Sequence, residues 1–355
     1  MRAVTFTGLR AVDVVDRPSP ELVDPSDAIV EVELAGICGS DLHPYEGRER
    51  GLDLGTTMGH ELTGRVVAVG DEVVTLAPGD AVMSPFSTSC GVCPSCRRGL
   101  SARCSRGALL GWIERGRGLE GAQAERVRIP LADGTLVHRP PDLSPTEALL
   151  LGDVVATGFF ATERAGVNAE SRVAVVGLGA VGLAAVLAAR HAGAALVLGY
   201  DAVASRLELA ASFGATVVPI ADDAGRPRPI ADLAAAARRG TGEGVDVVVE
   251  AVGSPDATRL AVSLLRPGGH LSIAGVHAEP AFDLSPTLAY DLNVTLSLGR
   301  CPARSRLEAL SAVQRSARLP LERLVTHRVP LDAAPDAYRM FAERRDGCIK
   351  VVLEL

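Results

Sequence analysis

The chain has 355 residues, 47% apolar and 22% charged, with a formal net charge of -7. That length and balance suit a globular protein of about two domains with a sizeable core, and they exclude a disordered chain. No basic stretch alternates with aromatics and no long block of like charge occurs, so neither nucleic acid nor an anionic membrane is an expected partner and small molecules are.

The apolar runs have the length of core helices rather than membrane spans, and Met1 leads straight into the strand-like Arg2 to Thr7, which gives the expectation of a soluble cytoplasmic protein. Residues 1–35 alternate apolar and polar positions, as in Ala28 to Leu34, the period of strands with one wet face. Then Gly36-Ile37-Cys38-Gly39-Ser40-Asp41-Leu42-His43 places a thiol, a hydroxyl, a carboxylate and an imidazole within eight residues. Burying such a group costs stability, and a metal with an adjacent proton path gives all four a use. A glycine- and arginine-containing loop near 47–55 precedes Met58-Gly59-His60-Glu61, which stands at the entrance of a strand over 62–69. Pro78-Gly79-Asp80 is a turn, and 81–86 is a further strand, so the first part is read as a small barrel or sandwich.

Residues 90–104 read Cys-x2-Cys-x2-Cys-x7-Cys. With seven cysteines, an odd number, and four of them this close, metal binding is favoured over a disulfide framework. Cys90, Cys93, Cys96 and Cys104 can wrap tetrahedrally around one zinc ion; an iron–sulfur cluster shares only the first spacings, and four free thiols at this density are the weakest reading. A glycine-rich loop over 107–121 carries the only tryptophan, Trp112, for which packing is the plain reading and a pocket wall the second. A strand over 122–129 follows, and Ser144-Pro145-Thr146-Glu147 is a helix start with a capping box.

Beyond a helix over 154–163 the character changes. An apolar strand, Arg172 to Val176, runs into Gly177-Leu178-Gly179-Ala180-Val181-Gly182, then an apolar helix over 183–192, then a strand over 195–200 ending at Asp201. Strand, glycines, helix, strand and acid in that order form a dinucleotide-binding pattern, in which the glycines admit the pyrophosphate to the helix start and the acid accepts from the ribose hydroxyls. Asp201 would repel a 2′-phosphate, which favours NAD over NADP, and Arg206 is a weaker candidate near the adenine. Alternating helices and strands continue, with Pro267-Gly268-Gly269 as a turn before a strand over 270–275, and 293–298 as a last strand whose edge is open to another subunit. Helices over 304–316 and 331–345 and a strand over 349–353 suit a return to the first domain. Cys38, His60 and either Asp153 or Glu61 offer sulfur, nitrogen and oxygen from separate segments, as an open catalytic zinc site requires. Each alone has a bland explanation, as a buried hydrophobe, a core histidine or a helix cap; His138, His270 and His277 are left as structural.

In order, Gly36 to His43, Gly59-His60-Glu61, the four-cysteine lobe, Gly152-Asp153-Val154-Val155-Ala156-Thr157-Gly158, Gly177 to Gly182 and Asp201 resemble the motifs of the zinc-dependent medium-chain alcohol dehydrogenase family, over essentially the whole chain. The resemblance implies an α/β fold in which a Rossmann doubly wound parallel sheet is inserted into a GroES-like β-rich catalytic domain. The expected parts are a catalytic domain over 1–152 with the zinc lobe at 88–106, a Rossmann domain over 153–298, and the return over 299–355. It implies catalytic zinc on Cys38, His60 and Asp153, with Glu61 approaching the metal during ligand exchange, and structural zinc on the four lobe cysteines. Asp41 is then expected to orient His60, while Ser40 and His43 carry a proton to solvent. Thr157 would touch the nicotinamide, Val252 is a further expected cofactor contact, and Lys350 would reach the pyrophosphate. Phe86, Trp112 and Cys301 are the expected substrate-pocket positions.

Asp153 stands where the liver-type branch has a cysteine, so the chain resembles the bacterial secondary-alcohol and threonine dehydrogenase branch, from whose NADP-preferring members Asp201 departs. The implied activity is reversible hydride transfer between a primary or secondary alcohol and NAD, giving an aldehyde or ketone, in a homo-dimer or homo-tetramer. A polyol or amino-alcohol dehydrogenase is the second reading. A non-catalytic dinucleotide-binding relative is the third, against which the full set of ligand and relay residues argues.

Overall fold

The computed structural model describes residues 1–279 and 281–355. Two compact units emerge, one formed by Met1–Ala156 with Pro302–Leu355 and the other by Thr157–Cys301. These divisions lie a few residues beyond the expected ones after 152 and 298, and the first of them falls inside the Val154–Arg164 helix.

The first unit is organised on the ten-residue strand Ala28–Ile37. It pairs antiparallel with Leu62–Val69, with Arg126–Ile129 and with Val351–Glu354, in a seven-stranded sheet that also holds Ala81–Ser84, Val137–His138 and His327–Pro330. The C-terminal strand therefore completes the sheet begun by the N-terminal part. Burial alternates over residues 30–34 of the Ala28–Ile37 strand, but its last four residues are all buried, so Gly36 and Ile37 belong to a strand rather than to the loop that follows. Val30, Ile37, Leu62, Val66, Val82, Ile129, Tyr338 and Val351 form the core beneath it.

The helix Pro145–Leu151 begins as the sequence dictates: Glu147 N–H donates to Ser144 Oγ at 3.2 Å and Ser144 N–H to Glu147 Oε2 at 2.8 Å. Its end is set by Gly152, where any Cβ would stand 2.3 Å from the Ser84 carbonyl oxygen. Glycine allows that close approach, and Asp153 follows it directly. Two expectations for loops are corrected. Trp112 lies in a hairpin, Trp112–Glu114 with Arg117–Leu119, and packs against the core. Pro267-Gly268-Gly269 lies inside the strand Leu265–Ile273, where the pairing shifts register between Val245 and Val247.

The second unit is a six-stranded parallel sheet in the order Thr216–Pro219, Leu196–Asp201, Arg172–Val176, Val245–Glu250, Leu265–Ile273, Thr295–Leu298. The chain order reverses between Arg172–Val176 and Val245–Glu250, the point at which doubly wound sheets bind ligands beyond the carboxyl ends of their strands. At the other end of these strands, Asp246 accepts from Arg172 N–H (2.7 Å), Arg172 Nε (3.1 Å) and Arg266 Nε (2.6 Å). Burial opposes the Asp246 charge, but the two guanidinium partners outweigh it and bring its pKa down to about 2.

A carboxylate whose folded pKa lies below its unfolded value stabilises the fold above the unfolded value and ceases to do so as pH falls through the folded one. Asp246→Asn should therefore lower stability at neutral pH by about 1–2 kcal/mol. The gap between variant and wild type in denaturant titrations should close as pH drops from about 4 towards 2; a gap independent of pH would contradict this role.

Candidate active site and cofactor site

Four donor residues of the first unit, Cys38, His60, Glu61 and Asp153, bring one ligand atom each within 4.8 Å of one another. Cys38 follows the long strand, His60 and Glu61 precede the Leu62–Val69 strand, and Asp153 follows the short capped helix. Antiparallel pairing, Leu62 opposite Ala35, brings the first two segments together. The Cys38 thiol donates to Asp153 Oδ2 at 3.3 Å, and His60 Nε2 lies 3.4 Å from the same oxygen. Zinc bonds of 2.0–2.3 Å at tetrahedral angles put neighbouring ligand atoms about 3.3–3.8 Å apart, so the spacing fits one ion held by sulfur, nitrogen and oxygen.

The surroundings select the right ring nitrogen. Asp41 Oδ1 is 3.2 Å from His60 Nδ1, while its Oδ2 accepts from Cys38 N–H at 2.9 Å. Nε2 is left to face the cluster, where Ser40 Oγ stands 3.2 Å away. His43, three residues on in the turn Leu42–Tyr45, is buried with Nδ1 3.9 Å from Glu49 Oε2.

Burial works against a charged His60, yet Asp41 and Asp153 overcome it and hold the imidazole pKa well above its ordinary value. Cys38 is pushed up, first by burial and then by the neighbouring carboxylates. A pocket that draws a proton onto histidine and keeps it on a thiol is one that a divalent cation would occupy favourably, with the metal taking the protons' place.

Glu61 is fully buried, and burial raises its pKa to about 7 against the opposing pull of Lys350. Lys350 Nζ donates to Glu61 Oε1 at 2.6 Å, contacts Oε2 as well, and donates to the Ile37 carbonyl at 3.1 Å. The Lys350 ammonium, expected at the pyrophosphate, is 1% exposed and here is taken up by Glu61 and Ile37. Gly36 makes room for the pair, since a Cβ there would stand 1.8 Å from Glu61 Oε2.

The four lobe cysteines form the second donor group. Cys93 Sγ lies 3.5 Å from Cys96 Sγ and 3.9 Å from Cys104 Sγ, far beyond disulfide length and close to the roughly 3.8 Å spacing of thiolates around zinc. Backbone N–H groups of Cys90, Cys93 and Arg106 point at the sulfurs. The N–H of Cys96 leads in pulling Cys93 down to about 5, whereas burial and then the neighbouring thiols push Cys96 up to about 12. All four can ionise together only around a cation.

In the second unit Gly177 has φ +88°, and a Cβ on it would meet Val252 Cγ2 at 2.4 Å; a Cβ on Gly182 would stand 1.8 Å from the Gly177 carbonyl oxygen. Gly179, with open space in place of a side chain, caps the helix Ala180–His191, whose first turn holds Val181. The residues fit a dinucleotide's pyrophosphate at that helix start. Asp201 accepts from Leu178 N–H at 2.7 Å and from Val203 N–H at 2.9 Å, and Arg206 Nη1 is 3.9 Å from it. Asp201 thus also fixes the glycine loop, and Arg206 sits with Asp201. Thr157 lies half-buried in the Val154–Arg164 helix and Val252 is exposed. Of the expected pocket residues, Phe86 is buried in the first unit and Cys301 in the second. Two buried residues that sequence reasoning missed adjoin the metal group: Gln123 and Tyr338, linked by a 2.9 Å bond.

Residues 24–141 match the alcohol dehydrogenase GroES-like domain family and residues 180–315 the zinc-binding dehydrogenase family. Zinc-type alcohol dehydrogenase B of Aspergillus flavus is 38% identical over 348 residues, 96% of this chain and 78% of that protein. The alcohol dehydrogenase TADH of Thermus sp. ATN1 superposes with a TM-score of 0.90 at 38% identity, covering 100% of this chain and 99% of that one. A Sinorhizobium meliloti protein solved with NADP bound superposes with a TM-score of 0.83 at 28% identity, covering 100% and 99%. The chain belongs to the zinc-dependent medium-chain alcohol dehydrogenase family and is an oxidoreductase.

Metal analysis of the purified protein should give two zinc ions per chain, and Cys38→Ser should leave one. A wild-type chain holding a single zinc would contradict the assignment of both clusters. Because a proton competes with the metal for His60, zinc at the Cys38 cluster should be held less tightly as pH is lowered below neutrality.

Proposed function

For this member of the zinc-dependent alcohol dehydrogenase family we propose reversible hydride transfer between a primary or secondary alcohol and NAD, with an aldehyde or ketone as product. The observation that carries it is the convergence of Cys38, His60 and Asp153 on one point with Ser40 Oγ 3.2 Å from the ligating ring. Zinc at this point would supply Lewis acidity, polarising an alcohol oxygen and lowering its pKa. Everything else is done by the chain. Asp41 keeps His60 in the tautomer that presents Nε2. Ser40, at the edge of the cluster, is the group placed to receive the hydroxyl proton, and His43 beside Glu49 is the next station towards solvent. Lys350 neutralises Glu61, which otherwise adds a second carboxylate charge beside Asp153.

The preference for NAD is supported by Asp201, whose carboxylate at the end of the Leu196–Asp201 strand opposes a 2′-phosphate. Among the described residues no helix is long and apolar enough to cross a membrane. We place the protein in the cytoplasm, as a homo-dimer or homo-tetramer whose open Thr295–Leu298 edge is the contact.

A panel of simple alcohols, ketones and polyols, assayed on zinc-loaded protein with both cofactors, tests the reading; turnover of polyols alone would move the assignment to a polyol dehydrogenase. His43→Ala should lower turnover near neutral pH by roughly ten- to a hundredfold, and full activity would remove His43 from the path. Asp201→Asn, which keeps an oxygen for Leu178 N–H but removes the charge, should shift the ratio of kcat/KM for NAD over NADP by roughly tenfold towards NADP. An unchanged ratio would leave the preference without a cause.

A further inference from the structure

Gln123 is fully buried and touches two of the three segments that carry the metal ligands, those of Cys38 and His60. Its Nε2 donates to the Gly36 carbonyl at 2.9 Å, two residues before Cys38, and lies 3.4 Å from Asp41 Oδ2. Its aliphatic part fills the space over Gly59, immediately before His60: a Cβ on Gly59, which has φ +91°, would stand 2.4 Å from Gln123 Cγ. The amide cannot be reversed. A carbonyl and a carboxylate only accept, so the group facing them must be the NH2, and Oε1 is left for Tyr338, whose hydroxyl donates to it at 2.9 Å. Tyr338 is itself fully buried, on the helix Ala334–Ala342, with its ring tilted against Tyr45 at 5.4 Å.

Resting on the proposed zinc site, we infer that Gln123, with its amide oriented by Tyr338, is a positioning residue of the metal centre that holds the Cys38 and His60 segments in register. The hydrogen bond to Gly36 fixes where Cys38 leaves its strand. The contact with Asp41 Oδ2 steadies the carboxylate whose other oxygen aims the His60 ring. Packing over Gly59 fixes the backbone that delivers His60. One side chain thus ties together two ligands that lie far apart along the chain, and a helix from the C-terminal part of the unit sets the direction of its amide.

The second zinc of the same chain provides the control. Zinc retention against a graded chelator, the absorption spectrum of the cobalt-substituted protein and the thermal midpoint would be measured for wild type, Gln123→Leu and Tyr338→Phe. Loss of outer contacts to a ligand typically weakens metal binding by about 10–100-fold. Gln123→Leu should show a loss of that size for one zinc only, with the lobe zinc unaltered and a changed cobalt spectrum. Tyr338→Phe, which removes one hydroxyl from a packed ring, should show the same change to a smaller degree. Wild-type retention of both ions and an unchanged cobalt spectrum in the two variants would overturn the inference. So would loss of both zincs together with a collapse of the thermal midpoint in Tyr338→Phe, which would mean that the network serves only the fold. If Gln123→Leu does not fold, Tyr338→Phe decides alone. A wild-type chain that holds no zinc at Cys38 would sink the functional reading itself, before any variant is compared.

Discussion

A knot of charge buried in an apolar core is the constraint on which the first unit depends. Asp41, Glu61, Asp153 and Cys38 are nearly inaccessible, and their cationic company within the unit is His60 and Lys350. Carboxylates taken out of water cost several kcal/mol each unless paired and fully hydrogen-bonded. Lys350 answers for Glu61, and the N–H of Cys38 and the ring of His60 answer for Asp41. Asp153 shares His60 with Cys38 and also bonds to Glu61, and a divalent cation would balance the negative charge gathered on these groups.

The backbone is shaped around this requirement. The Ala28–Ile37 strand and its partner Leu62–Val69 supply rigid mounts, and glycines remove the Cβ atoms that would collide with the inserted groups: Gly36 beneath Glu61, Gly59 beneath Gln123, Gly152 against Ser84. In the second unit Gly177 and Gly182 serve the same purpose at the helix start. Asp201, expected only as a ribose acceptor, also holds the glycine loop through Leu178 N–H, so a residue that would discriminate between cofactors is also structural.

Much of this was legible in the sequence because it is local. The capping box at Ser144 and Glu147, the strand–glycine–helix succession around Gly177 and the cysteine spacing of 90–104 each fix their geometry within a few residues. What was illegible depends on distant pairing. Lys350 meets Glu61 only because Val351–Glu354 pairs with Ala28–Ile37, placing Val351 opposite Ile37. Gln123 and Tyr338 carry no motif; their significance lies in a contact across 215 positions of the chain. That Lys350 is the sole lysine in a chain rich in arginine was a signal, since a fully buried lysine calls for a dedicated carboxylate. The strand through Pro267 was missed because a register shift lets proline and glycine sit where regular pairing would exclude them.

The central claim is that the Cys38, His60 and Asp153 cluster must hold zinc for hydride to pass between alcohol and NAD. The most direct measurement removes zinc stepwise with a chelator, follows alcohol-dependent NADH formation, and restores the metal. Activity should fall with loss of the one zinc that Cys38→Ser also abolishes, and return as that site refills. Undiminished turnover with that site empty and the lobe still loaded would contradict the account.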